Sequence, residues 1–339
     1  LGLHVFGGLL LHNTGLDPDL ADGATGVLEV LAWSMPFHLL GTTCALYLEG
    51  LARPKPGTVF MWLANIVNLA LNLVLVPGAF GLPALGAEGA AWSTFGSRVL
   101  LTVTMLVYVA RMKDARALGV FDKPADGPDA AREQRRIGYG GGASQFVEAG
   151  AFTGMNFVAG WVGGLAVSGW ALVLNFTAVV FMAPLGLSAA TGVLVGRAYG
   201  ARDRKTMIRA AMLGIGVTVA AISVVSIIVG AVPRAITALY SQDPILIATA
   251  APMMALCSLF LVADGIQVVT AQALRARGDV LAPTITHIVS YALVMAPLAW
   301  LLALPMGMGL AGIMWSVIAA SLLAATLLLG RFWMLARRL

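Results

Sequence analysis

The sequence predicts an all-α polytopic membrane protein made of two parallel-repeat helix bundles. Three observations predict it: a composition poor in charge, apolar runs of membrane-spanning length, and landmarks that recur along the chain at one offset. Charged residues make up 11% of the chain and hydrophobic residues 59%, and the mean hydropathy is +0.89. Soluble domains carry about 25% charged residues, so this chain has too few to give a globule a polar surface.

Apolar runs long enough to cross a bilayer, which takes ~20 residues, predict the helices. We expect nine complete spans, and we interpret the apolar tail at Leu1–Asn13 as the end of a further helix. No run alternates polar and apolar residues with a period of two, which argues against strands. The predicted spans are Val27–Tyr47, Val59–Val76, Gly89–Val109, Ile137–Trp161, Ser168–Val195, Ala211–Val232, Ala248–Gln272, Ile285–Ala303 and Gly309–Leu329.

The loops between these spans alternate in charge. Of the 21 lysine and arginine residues, 19 lie in five segments, and the intervening loops are almost free of them. The positive-inside rule places the basic segments, and the C-terminus at Leu339, in the cytoplasm. The pI of about 9.5 is therefore an orientation signal, which excludes nucleic acid as a partner. We expect a multi-pass protein of the plasma membrane, here the bacterial inner membrane.

Four landmarks predict an internal repeat, because they recur in order at offsets of 223 to 227 residues. The matched basic loops lie on one side of the membrane, so the repeats share one orientation. In this parallel-repeat plan a central site lies between two bundles. The matched pairs are Gly86 and Gly309, each opening a G-x-x-G-x-x-W-S pattern; Asp17 and Asp243, each followed by proline; Leu48 and Leu274; and Pro56 and Pro283.

The repeat also predicts the domain organisation. The second half begins near Ile137, so its counterpart would lie roughly 90 residues before Leu1 in a parallel-repeat plan. We therefore expect the chain to correspond to the tail of helix 3 through helix 12 of a twelve-helix protein. Residues 1–110 would form an incomplete N-terminal lobe, 111–136 a cytoplasmic linker with seven basic and five acidic residues, and 137–339 the C-terminal lobe.

Two carboxylates, Glu148 and Asp264, lie deep in predicted spans, whereas the other acidic residues lie in loops or near helix ends. A carboxylate at mid-membrane costs a few kcal/mol or more, so it normally faces protein or water and marks an ion path. Structural hydrogen bonding is the alternative. We interpret the two as a cation-coupling pair, close enough to share one ion or one proton.

Helical spacing groups further candidates with this pair. Three residues recur with Glu148 and two with Asp264 at intervals of three or four, so each set shares one helix face. Carboxylates, amide oxygens and aromatic rings suit a proton or a hard monovalent ion, with an organic cation nearby. The cavity candidates are Gln145, Phe152 and Asn156 beside Glu148, and Phe260 and Gln267 beside Asp264.

Other polar residues within the spans leave two interpretations open. Asn68 and Asn72 continue a stripe that begins at Asn65, and Asn175 is a further amide. Each either hydrogen-bonds a neighbouring helix or lines a cavity. Arg98 lies in the middle of a span and requires a partner.

No transition-metal site and no catalytic site is predicted. The four histidines are scattered without a ligand-spaced partner, and no P-loop, G-x-S-x-G or H-E-x-x-H pattern occurs. Glu148 and Asp264 would hold a metal ion only as a sodium site in a sodium-coupled protein. We therefore expect no enzyme activity, and no cofactor apart from a coupling ion, Na⁺ or H⁺.

Three sets of short motifs lie at 184–203, 80–93 and 263–275: PLGLSAA followed by VGRAYGARD, FGLPALGAEGAAWS, and ADGIQ leading to ALR. Together they resemble the multidrug and toxic compound extrusion (MATE) family, in its NorM-like branch, over essentially the whole chain. The resemblance implies that Glu148, in an E-x-G-x-F context, and Asp264 belong to the family's second-lobe cation site. Some sodium-coupled members carry a tyrosine where this chain has Phe260, so Na⁺ and H⁺ both stay open.

The resemblance leaves two functions to weigh. The first is an antiporter that exports amphipathic, often cationic, drugs and toxic compounds by alternating access, against entry of Na⁺ or H⁺. The second is a lipid-linked oligosaccharide flippase, whose cavity would carry several basic residues for phosphates. Two deep acids and one arginine favour the first. The expected partners are small organic cations and the lipid bilayer, and the expected oligomeric state is a monomer.

Overall fold

The computed structural model of the chain describes residues 7–8, 18–122 and 128–336. Within them every regular element is helical and no strand occurs, which confirms the predicted all-α fold. The helices are α1 (Pro18–Gly50), α2 (Pro54–Leu75), α3 (Gly86–Ala110), α4 (Pro128–Val162), α5 (Gly164–Gly200), α6 (Arg204–Ala231), α7 (Pro233–Ala238), α8 (Pro244–Ala276), α9 (Leu281–Ala303) and α10 (Leu310–Ala336), with a 3₁₀ turn at Ala79–Gly81.

Seven helices in the described part of the chain are long and apolar enough to cross a membrane: α2, α3, α5, α6, α8, α9 and α10. α1 and α4, which are 33 and 35 residues long, cover the two other predicted spans. The chain is therefore a multi-pass membrane protein, with a long helix at each of the nine predicted spans. The partial helix predicted at Leu1–Asn13 lies outside the described residues, apart from Gly7 and Gly8, which are helical.

Two compact units divide the chain, and the first, Leu1–Ala125, contains α1 to α3. In this unit α3 packs against both α1 and α2. Beyond α3, Asp114 pairs with Arg53 at 2.8 Å, and the guanidinium holds the pKa of the Asp114 carboxyl below its usual range. A small apolar core lies under this ion pair, built on Ala45, Leu48, Met105 and Val109.

The second unit, Asp126–Leu339, is organised around α8. This helix packs against α5, α6 and α10, and most of its residues from Ala250 onward are buried. Its start is fixed by the Asp243 carboxylate, which accepts a hydrogen bond from the Ile245 N–H at 2.9 Å, and by Pro244 in the first turn. The main apolar core joins α8 to α4, α5, α9 and α10 and includes Trp170, Met254, Tyr291 and Ile313.

The repeated G-x-x-G-x-x-W-S pattern has the same structural role in each unit. Its first glycine, Gly86 or Gly309, has a positive φ of 53° or 55°, which favours glycine. Its second glycine lies against the end of the preceding helix. A Cβ at Gly89 would lie 2.7 Å from a backbone oxygen of α2, and a Cβ at Gly312 would lie 2.6 Å from a backbone nitrogen of α9. The pattern therefore marks a contact between two helix ends that admits no side chain.

Two helices differ from their predicted spans. α4 begins at Pro128 rather than near Ile137, because proline suits the first turn and Asp129 is favoured at a helix N-terminus. The end of the predicted linker is thus helical, while 123–127 lie outside the described residues. α9 begins at Leu281 and contains a π-helical segment, Ile288–Met295, where the apolar run predicted a plain α-helix.

Candidate functional site

The two deep carboxylates lie side by side in the second unit. Glu148, from α4, is 9% exposed, and Asp264, from α8, is 7% exposed. Gln267, one turn after Asp264, donates from Nε2 to Glu148 Oε1 at 3.0 Å and to Asp264 Oδ1 at 3.2 Å. A single amide group therefore joins both carboxylates and links α4 to α8.

A cavity of about 260 Å³ lies beside this pair. Its walls come from α4, α5 and α8 and are mostly apolar, so the carboxylates form a small charged area on an otherwise apolar surface. The predicted helix faces around Glu148 and Asp264 both contribute to it. The lining residues are Gln145, Glu148, Ala149 and Phe152 of α4; Leu174, Thr177, Ala178, Phe181 and Met182 of α5; and Phe260 and Asp264 of α8.

A histidine that was not predicted as a site residue joins the carboxylates. His287, from α9, is 1% exposed. Its Nε2 lies 3.0 Å from Gln267 Oε1, and its Nδ1 lies 2.8 Å from Ser144 Oγ and 3.5 Å from Glu148 Oε2. Arg275, near the end of α8, donates from Nη2 to Ser144 Oγ at 2.8 Å. The polar site therefore extends from Asp264 to Arg275 across three helices.

The signal that would have found His287 is the one that found the carboxylates. It is a titratable residue inside an apolar run, Ile285–Ala303, and such residues mark functional sites in membranes. Metal-ligand spacing along the chain does not reveal it, because its partners come from other helices. Ser144 shares the helix face of Glu148 at an interval of four, and was not singled out either.

Three residues predicted to line this cavity are not among its lining residues: Gln267, which bridges the carboxylates instead, Asn156 and Asn175. The Asn156 amide donates to the Thr153 carbonyl oxygen of its own helix at 2.9 Å. Asn175 is exposed and does not line the cavity, which α5 forms with Leu174 and Thr177 instead. Helical spacing alone could not separate these neighbours, because the direction of the cavity depends on how α5 packs.

The asparagine stripe of the first unit makes local hydrogen bonds. Asn68 donates from Nδ2 to Ser97 Oγ of α3 at 3.4 Å, and Asn72 donates to the Asn68 carbonyl oxygen at 2.9 Å and to its Oδ1 at 3.1 Å. The Asn68 contact joins α2 to α3, whereas the Asn72 contacts stay within α2. Arg98, which required a partner, donates from Nη1 to Ser34 Oγ of α1 at 2.5 Å.

The first unit also contains a cavity, and the asparagine stripe is not among the residues that line it. It has a volume of about 550 Å³, and it combines two carboxylates with four aromatic rings. The Trp92 indole N–H donates to Glu88 Oε1 at 3.4 Å. The residues around it are Gly26, Glu29, Val30, Trp33, Phe37, Glu88, Trp92 and Phe95.

The chemistry available at the Glu148–Asp264 pair is that of carboxyl, amide, hydroxyl and imidazole groups. These groups exchange protons, and the carboxylates attract monovalent or organic cations. No group of three or more His, Cys, Asp or Glu residues in the described part of the chain is arranged to hold a metal ion.

The fold and the site together define a class: a multi-pass helical membrane protein with paired carboxylates beside a cavity inside a helix bundle. The MatE family model matches residues 142–301. The "Probable multidrug resistance protein NorM" of Caulobacter vibrioides is 51% identical over 337 residues, which are 98% of this chain and 71% of that protein. The chain belongs to the MATE family and is NorM-like. Members of this family are transporters, so the chain is a transporter and not an enzyme.

Solved structures share the fold. A MATE transporter in its straight conformation matches with a TM-score of 0.89 at 19% identity, covering 99% of this chain and 75% of that one. The eukaryotic MATE transporter AtDTX14 matches with a TM-score of 0.88 at 20% identity, over 99% and 75% of the two chains. A MOP superfamily transporter from Pyrococcus furiosus, described as having a binding pocket of reversed polarity, also matches with a TM-score of 0.88 at 17% identity, over 97% and 73%.

Proposed function

We propose that this protein exports amphipathic organic cations, including drugs, in exchange for H⁺ or Na⁺ that enters the cell. The observation that carries the proposal is the pairing of Glu148 and Asp264 through Gln267 on the wall of an apolar cavity. Buried carboxylates are expensive to maintain inside a membrane, so their presence beside a cavity indicates that something binds there.

Competition for the same buried charge gives exchange. An organic cation in the cavity and a coupling ion on the carboxylates each neutralise the pair, so the binding of one disfavours the other. A carboxylate pair that is charged and binds neither cargo nor ion is costly at low dielectric. The protein is therefore disfavoured from switching its access from one side of the membrane to the other while the pair is empty. Antiport by alternating access follows without a direct contact between cargo and ion.

The composition of the cavity supports a cationic cargo. Phe152, Phe181 and Phe260 face the same space as the carboxylates, and aromatic rings stabilise organic cations. Pockets for drug-sized ligands have volumes of about 300–1,000 Å³. A cavity of about 260 Å³ therefore suits the cationic group and adjoining ring of a larger compound.

The alternative, a lipid-linked oligosaccharide flippase, is less well supported. Phosphates are recognised by arginine and lysine, and no basic residue is among those that line this cavity. The fold does not choose between cargoes, because one fold hosts sites of different chemistry.

Orientation and assembly belong to the same proposal. The basic segments support a bacterial inner-membrane protein whose predicted linker 111–136 and C-terminus are cytoplasmic. We infer a monomer that needs no cofactor apart from its coupling ion.

The test is transport by the full-length protein in liposomes, with pH and Na⁺ gradients imposed separately. Asp264→Asn and Glu148→Gln should each abolish gradient-driven export at normal protein abundance, since neither amide carries the exchangeable charge. The double variant should be little worse than either single one, because the two act as a unit. Undiminished gradient-driven export by Asp264→Asn would contradict the proposal.

Matched controls are available on the same two helices. Asp243→Asn makes the same chemical change at the start of α8, where asparagine also caps a helix, and Glu133→Gln makes it on an exposed turn of α4. Both should export at the unsubstituted rate. Loss of export in these controls would show that the assay reports general damage to the protein.

A further inference from the structure

The hydrogen bonds around His287 fix which of its nitrogens carries a proton. Gln267 uses its amide N–H groups on both carboxylates, so its Oε1 acts as an acceptor toward His287 Nε2. Nε2 must therefore carry hydrogen. Nδ1 of the neutral ring is then an acceptor, which receives the Ser144 hydroxyl hydrogen, while Arg275 donates to the same hydroxyl oxygen.

This pattern leaves one unmatched contact. His287 Nδ1 and Glu148 Oε2 lie 3.5 Å apart, and both are acceptors when the ring is neutral and the carboxyl is ionised. A proton between them removes the repulsion, bound either to the carboxyl oxygen or to Nδ1. Ser144 can adapt to both forms, because a hydroxyl has one donor and two acceptor positions and can rotate.

We propose that His287 is the third member of the coupling site and shares the transported proton with Glu148, so that this protein is coupled to H⁺ rather than Na⁺. The proposal rests on the function proposed above. The entering proton binds between Glu148 Oε2 and His287 Nδ1. It leaves when a cationic cargo binds at the carboxylates, so one positive charge replaces another and the net charge of the site is unchanged.

The same hydrogen bonds disfavour sodium. Hard cations bind to oxygen ligands, yet the Gln267 oxygen is turned toward His287, and its N–H groups point at the carboxylates. An N–H group at 3.0 Å from Glu148 Oε1 takes one acceptor position of that carboxylate, and Gln267 offers no oxygen ligand to an ion between the pair. His287 therefore acts as a specificity-determining residue by holding the Gln267 amide in this orientation.

The groups around His287 are consistent with a shared proton. Arg275 contributes a fixed positive charge through Ser144, which disfavours a proton held by the imidazole alone. Asp264 is connected to His287 through Gln267. The Tyr291 ring contacts the imidazole edge-on, with 5.5 Å between the ring centroids. α10 also packs on α9. Its charged residue, Arg331, is paired with Asp279 at 2.8 Å.

The test compares His287→Gln with His287→Asn in liposomes that contain the full-length protein. Glutamine keeps a donor near the Nε2 position and asparagine keeps a polar atom near Nδ1, but neither accepts a proton at neutral pH. Coupling between sites typically amounts to roughly 5–150-fold, so export driven by a pH gradient should fall at least about fivefold in both. A purely structural role predicts instead that His287→Gln, which keeps the bond to Gln267, retains the pH profile.

A second readout does not depend on transport. Adding an organic cation such as tetraphenylphosphonium to the purified protein in weakly buffered detergent should release protons, and His287→Gln should release fewer. Ser144→Ala keeps the imidazole and should keep proton release with a shifted pH profile. His38→Gln, the same change at an exposed position of α1, should behave as the unsubstituted protein.

The outcomes separate this inference from the function beneath it. If the unsubstituted protein exports its cargo without being driven by any ion gradient, both the proposed function and the role of His287 are contradicted. Export driven by Na⁺ alone, or unchanged pH dependence and proton release in His287→Gln, would leave the exporter in place and overturn the role of His287.

Discussion

At the residue scale, the site depends on how one amide group is oriented. The sequence identified Glu148 and Asp264 by their depth, and it placed Gln267 on the Asp264 face by helical spacing. It could not show that Gln267 reaches across to α4, or that His287 holds its oxygen, because those contacts depend on the packing of α4, α8 and α9. The sequence predicted a deep pair of carboxylates, whereas the amide bridge between them and the contact with His287 required the tertiary structure.

Replacing the bridging amide tests its role directly. Gln267→Leu removes the donor to both carboxylates, and leaving buried polar groups unsatisfied costs roughly 1–3 kcal/mol each. We expect a lower thermal midpoint in detergent together with loss of gradient-driven export.

Thr270→Val is the matched control for this variant. It lies on the same helix and is equally buried, but its hydroxyl bonds only the Ile266 carbonyl oxygen of its own helix. Its stability and export should change little. Equal effects of the two variants would show that Gln267 matters only as a buried polar residue.

At the scale of single helices, the apolar runs predicted where helices lie better than where they end. α4 starts earlier than its run because charged residues such as Asp129 and Glu133 continue a helix outside a bilayer as readily as apolar ones do within it. The π-helical segment of α9 gave no signal in the apolar pattern, because a change from i→i+4 to i→i+5 bonding is decided by packing. The repeated glycines, by contrast, were visible in the sequence as landmarks.

Those glycines yield a prediction for stability. Gly312→Ala places a methyl group 2.6 Å from the α9 backbone, and a backbone cannot move aside as a side chain can. Overpacking of this kind typically costs about 1–3 kcal/mol, and the thermal midpoint should fall accordingly. Gly330→Ala, in the same helix and with nothing within 4 Å, should be neutral or slightly stabilising. A Gly312→Ala protein as stable as Gly330→Ala would contradict the proposed close approach.

At the scale of the whole molecule, the alternation of charged loops and the repeat predicted the fold class, whereas the resemblance to the family rested on the short motifs at 80–93, 184–203 and 263–275. The membrane explains the first of these patterns, because spans must be apolar and loop charge follows the side they occupy. Neither pattern carries information on the cavity in each unit, whose walls depend on which helix faces turn inward.

The predicted orientation can be tested by labelling. In a protein whose Cys44 and Cys257 have been replaced, a single cysteine at Asp122 should react with an impermeant thiol reagent only after cells are opened. A single cysteine at Gln242, an exposed residue just before α8, should react in intact cells. The reverse pattern would invert the topology.

The π-helical segment of α9 determines which way His287 faces. Such a segment holds one more residue than the α-helix it interrupts, and each residue of an α-helix turns the chain by about 100°. Compared with a plain α-helix of the same residues, the part of α9 that carries His287 is therefore rotated relative to the part that leads into α10. If Ile288–Met295 kept all of its residues but became a plain α-helix, the imidazole would turn by a quarter of a circle or more relative to the part of α9 that leads into α10, and away from Glu148. The angular phase of α9, as well as the identity of its residues, is part of the site.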